Sequence, residues 1–539
     1  MNAKFLLLMS VLAVGSCNFN ITSSSESSSN SSTSDSSIVE QPSSSIENSS
    51  SNNYISSEDS TPDINVGVDT SDKEYYKSLV DRDRIVYSPD FENDPTKDIS
   101  KLQIFQINDT HGAYYNDDSI VGISKVATCI KENTIDDTAT VKIANGDMLQ
   151  GTAFSNMLLG EPAIAALNEM NFDAFVIGNH EFDWGIDNLA VYKDGNLLNG
   201  ELECSFLGAN IIDGNGNRPE WIQPYTVVQK GDVKVGILGI IGENLESSIS
   251  KASLGGYSFT STLEAVNKYS KILLEEENVD VLIVSEHNHS EASNASYVKN
   301  NKIDCIINAH DHQRVKEYVT RYDGMQVPVV ESYTKNGCMG LVTLNLDSDN
   351  KMISNTTTHL WPEDYNEDTN LKAIMDVYYE VTSAYQNEVI GYKEGGFSKQ
   401  ELGISTCTYM AAKYGVDIAI TNTGGVRASI TASEITNALI YEAFPFDNEL
   451  YIATVSGNEL YSLCSRSGNY FNQSGLGNGT NVKLTSIDRS KTYKVICVDY
   501  LATKDYYANL YFNEEHDLIK TGDYIRECAI ENIKANYKK

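Results

Sequence analysis

The chain has 539 residues, 41% hydrophobic and 9% aromatic, enough for two or more domains with sizeable cores. Its 75 acidic side chains outnumber the 40 basic ones, a formal net charge of -35 at pH 7. A field of that sign repels phosphate backbones and argues against a nucleic-acid polymer as partner. Lys4 and the apolar run 5–14 predict a secretion signal over residues 1–16. The run is too short to cross a bilayer as a helix, and no later segment is long and apolar enough to do so. Residues 18–60 contain 20 serines, too little apolar surface to offset the entropy of ordering. Residues 17–98 are therefore predicted to be a disordered tether. Within it, Tyr75, Tyr76, Leu79, Val80, Ile85 and Val86 could form one short packed element.

From residue 99 the texture changes. Apolar runs of strand length recur at 102–107, 141–144, 172–177, 279–284 and 303–307. Each leads into polar, metal-type residues: Asp109 and His111, Asp147, Asn179 to Glu181, His287, and His310 with His312. Helical patterns at 163–170 and 263–277 complete an α/β rhythm, in which ligands bind beyond the carboxyl ends of the strands. A long helical pattern at 370–388 separates this region from further strand-like runs at 416–420, 450–455 and 493–498. Three folded parts are expected: a domain at 99–362, a bridging helix at 363–388 and a C-terminal domain at 389–539. The nine cysteines include no C-x-x-C pair, which argues against a thiolate zinc site. Those in apolar runs, such as Cys305 and Cys497, are expected to be buried free thiols.

Six of the eight histidines fall in the five polar clusters. Imidazoles and carboxylates without thiolate suit Zn²⁺, Mn²⁺, Fe or Co²⁺. Seven ligands exceed the needs of a single zinc site and suggest two ions sharing a bridging carboxylate.

Asp109-x-His111, Gly146-Asp147, Gly178-Asn179-His180-Glu181, His287 and His310-x-His312 resemble the motifs of the calcineurin-like metallophosphoesterases. The longer stretches Asn108-Asp109-Thr110-His111-Gly112 and Gly178-Asn179-His180-Glu181-Phe182-Asp183 are similar to the 5′-nucleotidase family within them. Asn422-Thr423-Gly424-Gly425-Val426-Arg427 resembles that family's N-x-G-G-x-R segment, and Pro445-Phe446-Asp447-Asn448 its P-F-G-N segment. The resemblance implies a four-layer α/β/β/α metallophosphoesterase domain plus a separate mixed α/β C-terminal substrate-binding domain. It implies Asp109, His111 and His312 on one divalent ion, Asn179, His287 and His310 on a second, and Asp147 bridging. His287 is preferred to His289 because it follows its strand at the family's distance. The resemblance further implies His180 and Asp183 as a catalytic dyad, and Arg427 with Asn422, Gly424 and Gly425 at the phosphate. Phe446 and Tyr500 would sandwich a base, Asn448 would hydrogen-bond it, and Asp505 would stand in for an aspartate of the family. Three departures accompany this: Ala309 before His310, no arginine ahead of Leu402-Gly403, and 503–507 without the family's glycine turn.

The expected activity is hydrolysis of nucleotide phosphate esters to nucleoside and phosphate, with a small nucleotide as partner. The rivals are a 2′,3′-cyclic-nucleotide phosphodiesterase, a nucleotide-sugar hydrolase, and a non-catalytic nucleoside-capturing surface lipoprotein. Val14-Gly15-Ser16-Cys17 resembles the lipobox of bacterial lipoproteins. That implies cleavage before Cys17, lipidation of its thiol, and a place on the extracellular face of the bacterial membrane.

Overall fold

A strand whose successive residues are all apolar must be buried on both faces. In the strand Lys101–Ile107, Leu102 and Ile104 point to one side, Phe105 and Ile107 to the other, and all four are buried. The computed structural model describes residues 73–88, 93–117, 120–196, 200–465, 467–473, 476–502 and 516–538. All belong to the one compact unit Gly67–Lys539.

Two sheets form the first domain. The first runs, edge to edge, through Met352–Leu360, Met339–Leu346, Lys101–Ile107, Thr140–Asn145, Ala174–Val176, Ser205–Leu207 and Ile222–Gln223. The second runs through Val315–Thr320, Gln326–Glu331, Cys305–Ile307, Val281–His287, Val233–Ile241 and Tyr225–Lys230. Both are parallel at the centre and antiparallel at an edge. Ile104, Val141, Ile143, Val235, Ile237 and Ile283 share the core between them. Phe105 and Phe175 pack outward on the helices Ile123–Asn133, Glu161–Glu169 and Thr369–Gln386. Leu282 and Val284 pack outward on Thr262–Glu275 and Glu291–Tyr297. This is the expected four-layer α/β/β/α order.

Two local expectations differ. The strand expected at 279–284 continues to His287, because Ser285, Glu286 and His287 pair with Gly239, Ile240 and Ile241 of the neighbouring parallel strand. The tether expected to reach residue 98 gives way to folded chain earlier. Lys73–Ser78 is helical, Tyr76 and Val80 are buried in the first domain's core, and Arg82 donates to both carboxylate oxygens of Glu161 at 2.8 and 2.7 Å. The serine-rich composition governs only the residues that carry it.

The helix Thr369–Gln386 starts where Asp368 accepts from the N–H groups of Asn370 and Leu371, both at 3.0 Å. Leu371, Ile374, Met375 and Tyr378 bury one face in the first domain, while Asn437 beyond it donates to the Tyr385 carbonyl at 3.0 Å. It bridges the domains as part of the first one's core. The C-terminal domain has its own core around a mixed sheet ordered Asn469–Phe471, Ile418–Asn422, Thr492–Val498, Glu449–Ser456 and Ile519–Tyr524. Its helix Lys399–Tyr414 opens on a capping box between Ser398 and Glu401. The described cysteines are all free, and all but Cys204 are buried. Among the described residues no helix is long and apolar enough to cross a membrane.

Candidate active site

Five parallel strands of the two sheets end side by side, and each end carries a piece of one site. The chain is left-handed at Asp109, His111, Asp147, His310 and His312, with φ of 49°, 47°, 54°, 80° and 53°. Residues with a Cβ hold that conformation only where their surroundings impose it. Here the Asp109 N–H donates to the Gly146 carbonyl and the His111 N–H to that of Asp147, each at 3.0 Å. The buried Glu181 carboxylate accepts from the N–H groups of Asp147, Met148 and Gly178, each at 2.8 Å. Gly146 has φ of 77°, and a Cβ there would lie 2.3 Å from Nδ1 of His287. The Gly-Asp pair is thus set by close packing as much as by the turn.

Backbone carbonyls fix the imidazole tautomers. A carbonyl only accepts, so Nδ1 of His287, 2.8 Å from the Asn145 oxygen, carries the proton. Its Nε2 then faces Oδ2 of Asp147 at 3.2 Å. Nδ1 of His111 lies 3.2 Å from the Gln150 carbonyl, so its Nε2 lone pair meets Nε2 of His312 at 3.1 Å. The same His312 nitrogen is 3.2 Å from Oδ1 of Asp109. Asp109 Oδ1, Asp147 Oδ2, Asn179 Oδ1 and His287 Nε2 are buried and have no hydrogen-bond partner. Each such atom costs roughly 1–3 kcal/mol unless something satisfies it. Asp109, His111 and His312 converge closely enough to hold a metal ion, as do His111, Asp147 and His180, and Asp147, His287 and His310. Oxygen and imidazole donors, orphaned and convergent, fit divalent cations.

The electrostatics agree. Burial pushes the pKa of His111 down to about 3, leaving the neutral form that binds metal. Burial also opposes charge on His287, but Asp147 outweighs it and holds that pKa up at about 10. The position demands a cation, and a proton and a metal ion compete for it. His289 meets Oε2 of Glu331 at 3.2 Å and lies in none of the three groups.

His180 has a carboxylate partner of its own. Its Nδ1 is 2.8 Å from Oδ2 of Asp183. Burial opposes its charge, yet Asp183 and Asp147 hold its pKa up at about 9.

A cavity of ≈ 410 Å³ opens beside these groups. His180, Asp183, His310 and His312 line one side, and Asn422, Gly424, Gly425, Arg427, Phe446, Asn448 and Tyr500 the other. Asp505 and the rest of 503–507 lie outside the described residues. Phe446 stacks on His180, with ring centroids 5.4 Å apart and planes at 16°, and the Arg427 guanidinium lies 5.8 Å from the Phe446 ring centre. Asn448 has already spent a donor: its Nδ2 is 2.9 Å from Oδ1 of Asp499, which also accepts from the Tyr500 N–H at 2.7 Å. Its carbonyl oxygen and one amide N–H remain. Lys399, one of the residues standing where an arginine was expected, lines an adjoining cavity of ≈ 330 Å³ that shares His180, Arg427 and Phe446.

Sequence reasoning missed several contributors. Glu181 stood in a quoted motif, but its grip on two loops shows only in three dimensions. Asp499 and Ser248, Ser250 and Ser253 line the cavity without any motif to mark them.

Comparison with known proteins gives the same two-part division. The calcineurin-like phosphoesterase family model matches residues 102–314, and the 5′-nucleotidase C-terminal domain model matches 386–509. Apyrase from Tabanus yao is 25% identical over 434 residues, covering 71% of this chain and 76% of that protein. Endonuclease YhcR from Bacillus subtilis is 24% identical over 399 residues, covering 67% of this chain but 32% of that protein, so this chain spans about a third of its length. The crystal structure of a 5′-nucleotidase precursor from Thermus thermophilus superposes with a TM-score of 0.69 at 21% identity, covering 81% of this chain and 97% of that one.

Proposed function

Because the chain belongs to the family that joins a calcineurin-like phosphoesterase domain to a 5′-nucleotidase C-terminal domain, and is a phosphoric ester hydrolase, we propose that it cleaves nucleotides to nucleoside and phosphate. One observation supports this most. Orphaned metal-type ligands of the first domain and two aromatic rings and an arginine of the second line a single cavity.

In this reading Asp109, His111 and His312 hold one divalent ion, Asn179, His287 and His310 a second, and Asp147 both. Bound there, the cations supply charge that polarises a phosphoryl group and acidifies an attacking water. His180 donates from Nε2 to a phosphoryl oxygen as negative charge builds there, while Asp183 holds its ring. Arg427 offers the phosphate a planar set of donors, and Gly424-Gly425 let the backbone come close. Phe446 and Tyr500 flank the base, and the Asn448 oxygen accepts from it.

The test is phosphate release from AMP, ADP, ATP, 2′,3′-cyclic AMP and UDP-glucose in Mn²⁺ or Zn²⁺. AMP is expected to react fastest. A protein that hydrolyses p-nitrophenyl phosphate but no nucleotide overturns the reading, and preference for a cyclic or sugar nucleotide moves it to that class. Elemental analysis should find two ions per chain; one or none at saturation removes the dinuclear site.

We further propose that the protein is lipid-anchored outside the cell. The signal-like residues 1–16 and the lipobox ending in Cys17 support this, and both lie outside the described residues. Cys17→Ser should release the protein to the medium or block its processing. A variant still membrane-bound and cleaved at the same place contradicts it.

A further inference from the structure

The turn that carries Phe446 is held from three directions. Nδ2 of Asn156, in the first domain, donates to the Pro445 carbonyl at 2.8 Å. Arg526, 5% exposed and lying flat over Tyr441 at 4.0 Å, donates to the carbonyls of Phe444 and Pro445 at 3.2 Å each and of Phe446 at 3.4 Å. It also pairs with Oδ1 of Asp447. The other oxygen of Asp447 pairs with the ammonium of Lys73, which precedes the phosphoesterase domain in the chain. That ammonium also lies 4.9 Å above the Trp184 ring, next to Asp183 of the dyad. Lys73 thus touches first-domain and C-terminal residues at once. Its own segment is fixed to the first domain by Tyr76, Val80 and the Arg82–Glu161 pair.

Asp447 is the one residue at which Pro445-Phe446-Asp447-Asn448 departs from P-F-G-N. A carboxylate here, with side chains of Lys73 and Asp447 only 15% and 18% exposed, needs both cations to offset its desolvation. An unpaired Asp447 would pull away toward water, and Phe446 precedes it in the same turn.

We propose that Lys73 is a positioning residue for substrate: with Arg526 it neutralises Asp447 and holds the Phe446–Asn448 turn against His180. The N-terminal segment thereby fixes the C-terminal domain in the arrangement that completes the cavity. Lys73 touches no substrate and acts through Phe446. The inference rests on the nucleotidase reading, since its effect is on base recognition.

The experiment compares full-length wild type, Lys73→Met and Lys73→Arg on AMP and on p-nitrophenyl phosphate. Lys73→Met should raise KM for AMP by about tenfold and lower kcat on the aryl phosphate by no more than about threefold, because Phe446 is loosened over His180 but not removed. Lys73→Arg, which keeps the charge, should restore the AMP value. In a Phe446→Ala background Lys73→Met should add nothing. An unchanged KM for AMP overturns the proposal, and so does an equal loss on both substrates with a lowered Tm. Amide hydrogen exchange at 446–448 separates this from failure of the nucleotidase reading. If wild type ignores AMP yet Lys73→Met speeds exchange there, the positioning role stands and the substrate assignment falls. Unchanged exchange in such a protein overturns the positioning role as well.

Discussion

Phe446 lies on the ring of His180, whereas Tyr500 reaches the cavity from the short helix Asp499–Ala502. Truncating the two should therefore have different consequences. Tyr500→Ala removes a stacking surface, worth about 1–3 kcal/mol for a base. It should raise KM for AMP by about tenfold and leave p-nitrophenyl phosphate within about twofold. Phe446→Ala also uncovers His180, so it should lower kcat on the aryl phosphate by roughly threefold to tenfold as well as weaken AMP. Steady-state kinetics on both substrates checks this, and identical profiles for the two variants would contradict the observed stacking. At this scale the resemblance singled out both rings, and both line the cavity. It could not assign them separate tasks, because which one meets His180 depends on how two domains dock.

The strand-end loops are the elements that make the site. Five ligand-type residues sit in left-handed backbone there, and Gly146 lets His287 come within contact of the neighbouring loop. Gly146→Ala combines strain at φ of 77° with a Cβ 2.3 Å from the His287 ring. The ring must move, and its hydrogen bond to the Asn145 carbonyl must break. The variant should lose about half or more of its bound metal and several kcal/mol of stability, on the order of 1–3 for the backbone alone. Gly216→Ala is the control. Its φ of 82° imposes the same backbone penalty, but nothing lies within 4 Å of the new Cβ. Elemental analysis with thermal unfolding decides. Full metal in Gly146→Ala would mean that His287 does not depend on this contact. Strand existence was legible from apolar runs, while the extension of Val281–His287 through the ligand was not. Ser285 and Glu286 are polar, and only pairing with Gly239 and Ile240 keeps them in the sheet.

Across the whole molecule, the Lys73–Asp447–Arg526 group ties the N-terminal segment, the first domain and the C-terminal domain together. Burial works against the charge on Asp447, but Lys73 and Arg526 outweigh it and hold its carboxyl below the usual carboxylate range. A carboxyl whose pKa is depressed by folding stabilises the protein above its unfolded value, near pH 4. It loses that contribution as the pH falls toward the folded value. Asp447→Asn should therefore cost about 3–5 kcal/mol at pH 7. The deficit should shrink steadily below pH 4, measured by urea unfolding of chelated protein. A deficit independent of pH would mean that Asp447 contributes through packing and not through charge.

The sequence by itself determined the order of the parts, the four-layer class and the donor types at each strand end. The order of the parts and the donor types follow from local periodicity and from short motifs within a few residues of each other, and the four-layer class from the family those motifs resemble. Tertiary structure decided the rest. It set Nε2 of His287 beside Asp147 and gave His289 to Glu331. It turned the Asn448 amide toward Asp499, a partner that no motif announces. It placed a helix at Lys73–Ser78, which a serine-rich composition upstream could not foretell. Lys73 and Asp447 are 374 residues apart, and no local pattern pairs them. A pair so distant is specified only when folding closes the chain between them, because its stabilisation comes from shared burial of opposite charges rather than from any property of the segments that carry them.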